Sequence, residues 1–189
     1  VLGREINQFN GSEEVKHNLM ELVKYLRRSL ELTEKLSVSL QDELDFVRTY
    51  IELERGRVGE DFVATITVED ELEAARIMIP SMIVQIPVEN AIKHGLAGKD
   101  GKKELMVYVS RETNGIRITV TDNGRGYLPQ VVSATRGTGT GLKVLYQTVQ
   151  LLNTKNKSDK IRFDITNRSD GQTGTEVSVY IPFHFSYDL

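Results

Sequence analysis

The spacing of apolar residues predicts two helices at the start of the chain. In the first, apolar side chains recur three or four positions apart, at Val15, Leu19, Leu22, Leu26 and Leu30. This is the spacing of one helical face. A second stripe runs from Leu40 to Ile51. Ser12 and Ser39 are suitable N-caps for the two helices, and Gly56 and Gly59 are stop signals for the second. Residues 12–57 are therefore predicted to form a helical hairpin.

From residue 62 the apolar period changes to the alternation of a strand. Strands are predicted at 62–69, 104–111, 115–122, 160–167 and 175–183, and helices at 80–94 and 141–153. Pro80 suits the first position of its helix, whereas Pro87 should kink it. A tight turn is expected at Asn114-Gly115. The pattern predicts an α+β fold, a two-layer α/β sandwich after the hairpin, with domains at 1–58 and 59–189.

Composition narrows the class of protein. The 189 residues carry a net charge of −3 and include no cysteine, which excludes disulfide scaffolds and thiolate chemistry and gives no reason to expect a nucleic-acid partner. No apolar run approaches the ~20 residues of a membrane span. The chain begins at Val1 rather than at Met, so it is expected to be a fragment of a longer protein. Any membrane attachment is therefore expected in a region outside it.

Polar residues interrupt an apolar segment at "PVENAIKHG", residues 87–95. On a helix, Asn90, Lys93 and His94 would share a face, and Glu89 lies four positions before Lys93. An amide oxygen is a hard ligand that magnesium accepts together with phosphate and water, and a neighbouring carboxylate can orient or deprotonate an attacking group. Alternatively, the segment is a solvated polar face with a Glu–Lys pair.

Two glycine-containing segments follow. "DNGRGY" (122–127) comes directly after a strand, where glycines permit a close approach to a ligand and Asp122 could accept a hydrogen bond from an exocyclic amine. "RGTGTGLKVL" (136–145) leads into a helix, and its backbone amides could bind an anion. A hairpin turn and a flexible linker are the alternatives. A Walker motif is absent from the second segment.

The order of these three segments resembles the Bergerat ATP-binding fold of the GHKL superfamily. "GTEVSVYIP" (174–182) is similar to the closing strand of that fold, and the resemblance runs from about residue 62 to the end of the chain. It implies a mixed, mostly antiparallel sheet with helices on one face. Gyrase-type ATPases share the fold, but the helical hairpin and the absence of a transducer domain after the last strand argue against that branch.

Within the superfamily, the chain is most similar to sensor histidine kinases of the LytS/YehU type. The segments "YLRRSL" (25–30), "SLQDELDFVRTYIELERGRVGEDF" (39–62) and "PSMIVQIPVENAIKHGL" (80–96) carry this resemblance. It implies an ATP-dependent protein histidine kinase that uses ATP and Mg²⁺.

The resemblance also implies roles for individual residues. Glu89 would polarise the phosphoacceptor and Asn90 would coordinate magnesium, with Lys93 and His94 beside phosphate. Asp122 would bind the adenine amino group, Gly124 and Gly126 would shape the pocket, and Thr175 would lie near adenine. A lid over the phosphates would end in Gly137, Gly139, Gly141 and Leu142.

One departure from the family concerns the phosphoacceptor. "INQFN" (6–10) has no histidine where the family has one, and His17 and His184 are expected to be surface or structural residues. One hypothesis is the kinase core of a two-component sensor, the cytoplasmic portion of an inner-membrane protein, with a response regulator as partner and a homodimer formed through the N-terminal helices. The alternative is a nucleotide-binding, dimerising signalling module without autokinase activity.

Overall fold

The computed structural model of the protein describes residues 15, 19–32, 34–127, 140–156 and 159–187. The predictions for residues 6–10, for Ser12 and for His17 lie outside this part of the chain. His184 is exposed, as expected.

Two helices form the N-terminal part. Helix α1 covers residues 19–32 and helix α2 is Leu40–Val58. Ser39 caps α2, because its hydroxyl oxygen accepts the Asp42 N–H at 3.0 Å. Gly59 ends the helix with a φ of 111°, and its N–H donates to the Arg55 carbonyl. Gly56 lies inside α2 rather than at its end, since the helical hydrogen bonds continue past it.

The described residues also form seven strands, the first of which precedes α2, and two further helices. The strands are β1 (Ser37–Ser39), β2 (Phe62–Val68), β3 (Met78–Pro80), β4 (Lys103–Glu112), β5 (Gly115–Asp122), β6 (Arg162–Asn167) and β7 (Thr175–Pro182). The helices are α3 (Gln85–Asn90), extended by a π turn (Ala91–Gly95), and α4 (Thr140–Lys155), and a 3₁₀ turn covers Ala74–Arg76.

The main sheet has the strand order β2-β4-β5-β7-β6. Strands β2 and β4 are parallel, and every other neighbouring pair in this sheet is antiparallel. Strands β1 and β3 form a separate two-stranded antiparallel sheet. The predicted mixed, mostly antiparallel sheet with helices is therefore confirmed.

One hydrophobic core joins the helices to one face of the main sheet. Alternate residues of the central strands, such as Val107, Ile118 and Val179, are buried, as the two-residue period of a strand requires. Residues of α2, of α3 and its π turn, and of α4 belong to the same cluster. This packing fixes α3 and α4 above the sheet.

Three local predictions differ from the structure. The helix predicted from Pro80 begins at Gln85, because Pro80 ends β3, which pairs with β1. Pro87 is the third residue of α3, a first-turn position where a missing N–H is tolerated. Glu112 pairs with Gly115, so the hairpin turn is Thr113-Asn114.

Among the residues that the structure describes, none covers the apolar stripe predicted for α1. Val15, Leu19, Leu22, Leu26 and Leu30 are each between 44% and 68% exposed. A different side of α1 contacts α2, where Tyr25 stacks on Phe46 with ring centroids 4.8 Å apart. Within the described ranges, no helix is both long enough and apolar enough to cross a membrane.

The Ser39 cap leads to a stability prediction. Ser39→Ala removes the side-chain acceptor for the Asp42 N–H, so we expect the free energy of unfolding to fall by about 1 kcal/mol. Urea denaturation followed by circular dichroism measures this change. Ser37→Ala, in the same strand but outside the cap, is the control and should be close to neutral. Equal losses in both variants would contradict the role of the cap.

Candidate functional site

The polar residues of the 87–95 segment lie on a helix that changes its pitch. Helix α3 continues as a π turn from Ala91 to Gly95, in which the Leu96 N–H donates to the Ala91 carbonyl at 2.8 Å. A π turn holds more residues than an α turn. The side chains after Asn90 are therefore rotated about the helix axis from the positions that a regular α-helix would give them. Such turns are frequent at functional sites.

Glu89 faces the helical hairpin. Its Oε1 accepts hydrogen bonds from the Tyr25 hydroxyl at 3.2 Å and from Gln85 Nε2 at 3.0 Å. Its Oε2 accepts one from Lys93 Nζ at 2.8 Å. Three donors from two helical elements therefore hold this carboxylate in one orientation toward α1.

The same donors keep Glu89 ionised. Burial acts to raise the pKa of this carboxyl, but the hydrogen bonds from Gln85, Lys93 and Tyr25, with the charge of Lys93, outweigh it. The pKa of Glu89 is thus lowered from its ordinary value. An oriented carboxylate of this kind can polarise a group that approaches from the side of α1.

Asn90 lies against the start of α4. Its Nδ2 donates to the Ile86 carbonyl at 2.7 Å, and a Cβ placed on Gly141 would lie 3.9 Å from the same nitrogen. With the amide nitrogen used in this way, the side-chain oxygen is left as an oriented acceptor. An amide oxygen is a hard donor, so it fits Mg²⁺.

The rest of a magnesium coordination shell would come from a ligand. In the residues that the structure describes, no group of three or more His, Cys, Asp or Glu side chains could hold a metal ion. Magnesium commonly binds through one or two protein oxygens together with substrate phosphates and water. The single oxygen of Asn90 therefore fits an ion that arrives with a phosphate ligand.

Asp122 is a buried carboxylate at the end of β5. It is 4% exposed, and its Oδ1 accepts the Gly124 N–H at 2.7 Å. Thr175, the first residue of β7, donates to the same carboxylate from its backbone and its side chain. Burial raises the pKa of Asp122, while these hydrogen bonds oppose the rise. The carboxylate can accept a further hydrogen bond from an exocyclic amine.

Two glycines allow the turn after β5 to contact the end of the π turn. A Cβ on Gly124 would lie 2.1 Å from the Gly95 carbonyl oxygen, and a Cβ on Gly95 would lie 2.9 Å from the Asp122 carboxyl carbon. Both distances are shorter than a non-bonded contact permits. Only glycine at these positions lets Asp122 pack against Gly95, the last residue of the π turn that continues the helix of Asn90.

The other predicted residues of the two glycine-containing segments lie after β5 and near the start of α4. Gly126 has a φ of 85° and follows the turn, as expected for a residue that shapes it. Gly141 and the partly buried Leu142 begin α4, where a Cβ on Gly141 would lie 3.3 Å from Ile86 Cγ2. Gly137 and Gly139 lie outside the described residues.

Lys93 and His94 lie in the π turn that follows Asn90. Lys93 pairs with Glu89, and its Nζ lies 5.7 Å from the centroid of the Tyr50 ring. This is the Glu–Lys pair that the alternative interpretation expected. Burial first, and then the charges of Lys93 and Arg125, lower the pKa of His94, which favours its neutral form.

The sequence reasoning missed three polar residues of the site. Tyr25 and Gln85 contact Glu89, and the Arg125 Nε donates to the His94 carbonyl at 2.9 Å. Gln85 could have been recognised as the one amide in the apolar run "IPSMIVQI". Nothing in the sequence indicated Tyr25, whose contact depends on how α1 packs. Arg125 contacts the last carbonyls of a helical segment, a position that favours cations.

Two family models match the chain. The model described as "Histidine kinase-, DNA gyrase B-, and HSP90-like ATPase" matches residues 78–184, more than half of the chain. A second model, "Histidine kinase", matches residues 4–62. The chain belongs to the family of histidine kinase-, DNA gyrase B- and HSP90-like ATPases.

Named relatives indicate which branch of this family the chain resembles. The chain is similar to the "Sensor histidine kinase/phosphatase LytS" of Staphylococcus aureus, with 31% identity over 179 residues, 91% of this chain and 30% of that protein. It is also similar to the "Sensor protein LytS" of Bacillus anthracis, with 29% identity over 90% of this chain. The expected LytS-type resemblance is confirmed. The chain spans less than a third of the length of these curated relatives.

Solved structures support the fold. The histidine kinase domain of the blue-light activated kinase from Erythrobacter litoralis EL346 superposes with a TM-score of 0.58 at 18% identity, covering 88% of this chain and 75% of that one. At this identity the match establishes the fold alone. The expected Bergerat-type architecture is confirmed.

Tyr25 generates a prediction about the ionisation of Glu89. Because the Tyr25 hydroxyl stabilises the charged carboxylate, Tyr25→Phe should raise the pKa of Glu89, and the carboxylate should become protonated at a higher pH than in the wild type. Carbon-detected NMR titration of the glutamate carboxyls measures the shift.

Tyr50→Phe is the matched control for that titration. The Tyr50 hydroxyl has no hydrogen-bond partner in the described part of the chain, so its loss should leave the pKa of Glu89 almost unchanged. An equal pKa in the wild type and in Tyr25→Phe would show that the 3.2 Å contact does not stabilise the ionised form.

Proposed function

We propose that this chain is the ATP-binding kinase core of a two-component sensor. It would bind Mg-ATP, transfer the γ-phosphoryl group to a histidine, and pass it on to an aspartate of a response regulator. One observation carries the proposal: the backbone contact of Gly124 with Gly95 brings the buried carboxylate of Asp122 beneath the segment that carries Asn90. The family membership of the chain supports the same conclusion.

The residues have complementary roles in this proposal. Asp122, oriented by Gly124 and Thr175, would accept a hydrogen bond from the adenine amino group. Asn90 would supply an oxygen to the magnesium ion, which neutralises phosphate charge when bound. Gly141 and Leu142, at the start of α4, would place backbone N–H groups near the phosphates. Gly137 and Gly139 would belong to the lid over them.

Glu89 would act on the histidine that receives the phosphoryl group. Phosphoryl transfer breaks the bond between the γ-phosphorus and the bridging oxygen of ATP and forms a phosphorus–nitrogen bond, and it depends mainly on positioning and charge stabilisation. An ionised, oriented carboxylate can hold the proton-bearing side of the imidazole so that the other nitrogen faces phosphorus. Lys93 and His94 would contribute cationic or dipolar groups near this point.

The magnesium part of the proposal has a direct test. Asn90→Ala removes the proposed ligand without removing buried apolar volume, so Mg-dependent ATP binding measured by calorimetry should be lost while the fold remains. Asn114→Ala, in the exposed Thr113-Asn114 turn, is the matched control and should bind like the wild type. Retained Mg-dependent affinity in Asn90→Ala would refute the assigned role.

The transfer step is tested with γ-labelled ATP and a separate full-length acceptor protein that carries the family's phosphoacceptor histidine. The wild-type chain should label the acceptor, and Asn90→Ala should not. Tight nucleotide binding without any transfer would favour the second candidate function, a nucleotide-binding signalling module without autokinase activity. The observation behind that alternative is the absence of a histidine from residues 6–10.

We also propose that α1 forms a homodimer with α1 of a second copy, within a region at 1–58 that precedes the ATP-binding region at 59–189. The support is the exposed apolar stripe of α1, since a helix of this length rarely leaves such a face in water. We further propose that the chain is the cytoplasmic portion of an inner-membrane sensor, and the support is that it spans only 30% of the length of a relative named as a sensor histidine kinase.

The dimer proposal predicts the effect of a charge in the stripe. Leu26→Glu places a carboxylate in the middle of the exposed face, so light scattering should show a shift from dimer to monomer at the same protein concentration. Met106→Glu introduces the same charge at an apolar position of similar exposure, 46% against 53% for Leu26, on the open sheet face and should remain dimeric. If Leu26→Glu stays dimeric, the stripe is not the interface.

A further inference from the structure

Glu43 is an ionisable side chain within the buried face of α2. Its neighbours Leu40, Leu44 and Val47 form the apolar stripe of that helix, and Glu43 itself is 0% exposed. Moving a carboxylate out of water is unfavourable by several kcal/mol unless hydrogen bonds replace the lost hydration. The replacement partners of Glu43 therefore indicate what this residue does.

The carboxylate binds three backbone N–H groups just before and at the start of α3. Its Oε2 accepts the Met82 N–H, and its Oε1 accepts the N–H groups of Val84 and Gln85, each at 3.1 Å. Burial raises the pKa of Glu43, and these three backbone hydrogen bonds are the interactions that oppose the rise. No cation shares in the interaction within the described chain.

The bound segment has a conformation that needs external support. Met82 has a φ of 66°, the one positive φ of a non-glycine residue in the described part of the chain. A side chain is strained in this left-handed conformation. The 82–85 turn nevertheless points three of its N–H groups toward a single carboxylate. Glu43 is thus the partner that fixes a strained turn.

The turn determines where α3 begins and in which direction it runs. Asn90 is the last residue of α3, five positions after Gln85, and the intervening helix is rigid on this scale. A displacement of the turn would therefore move the Asn90 side chain relative to Asp122, which is fixed separately by β5 and Thr175. The position of Asn90 depends on α2 through Glu43.

From this geometry we infer that Glu43 is a positioning residue for the magnesium ligand: it holds the 82–85 turn so that Asn90 and Asp122 meet one nucleotide. The inference rests on the proposed function. It also links the helical hairpin to the nucleotide site, because the same α2 helix that packs against Tyr25 supplies the carboxylate.

The test compares ATP affinity with and without magnesium. In Glu43→Gln, which keeps the side-chain shape but removes the charge and one acceptor, the Kd for ATP in excess Mg²⁺ should rise about tenfold, equivalent to about 1.4 kcal/mol. The Kd for ATP in EDTA should stay within about twofold of the wild-type value, since Asp122 is untouched. Calorimetry measures both constants.

Leu44→Ala is the matched control. It truncates the adjacent buried residue of the same helix and should lower the melting temperature, as Glu43→Gln does, without changing the ratio of the two Kd values. An unchanged ratio in Glu43→Gln, or an equal change in Leu44→Ala, would overturn the inference, because either result means that Glu43 contributes stability alone.

A second variant covers the case in which Glu43→Gln does not fold. Glu43→Asp keeps the charge but shortens the side chain by one methylene, so the selective loss of Mg-dependent affinity should appear there too. If the folded Glu43→Asp protein has the wild-type ratio, the inference is overturned. A wild-type chain without any Mg-dependent ATP binding would overturn the proposed function itself, which is a different result from normal wild-type binding with unaffected variants.

Discussion

The backbone contact between Gly95 and Gly124 is the constraint on which the site depends. It joins the last residue of the π turn to the turn after β5, and neither position tolerates a Cβ. The contact is reinforced by the Arg125 N–H, which donates to the Gly95 carbonyl at 3.3 Å. Because the sheet fixes Asp122 and the helix fixes Asn90, this single contact sets the relative position of two groups that are 32 residues apart in sequence.

Helix α3 presents a carboxylate, Glu89, on one side and an amide, Asn90, on another. Glu89 contacts α1 through Tyr25, whereas Asn90 contacts the start of α4 through Gly141. Consecutive residues on a helix point about 100° apart, so adjacent positions can serve different partners. This arrangement fits the proposed function, in which the acceptor would approach Glu89 from the side of the hairpin and the nucleotide would approach Asn90 from the side of α4.

Much of the fold followed from the sequence, since periodicity is a local property. The hairpin strands β4 and β5, the cap at Ser39 and the closing strand β7 were all predicted close to their observed bounds. The start of α3 was not, because it depends on the pairing of Met78–Pro80 with Ser37–Ser39 and on hydrogen bonds that its N–H groups donate to a carboxylate 39 to 42 positions earlier. Such contacts leave no periodic signal. Tyr25, which contacts Glu89 from 64 positions away, was missed for the same reason.

The buried carboxylate of Glu43 illustrates how a local inconsistency in a sequence can mark a functional constraint. An apolar residue at this position would pack the core without the desolvation penalty, but it could not satisfy the three N–H groups of the 82–85 turn. Met82, in the same turn, adopts a left-handed conformation. The turn and the carboxylate therefore require each other. The turn leads directly into the helix that ends at Asn90, so its strain lies where it can orient a proposed ligand. Because Glu43 belongs to α2, one of the two helices of the hairpin, that orientation depends on the hairpin.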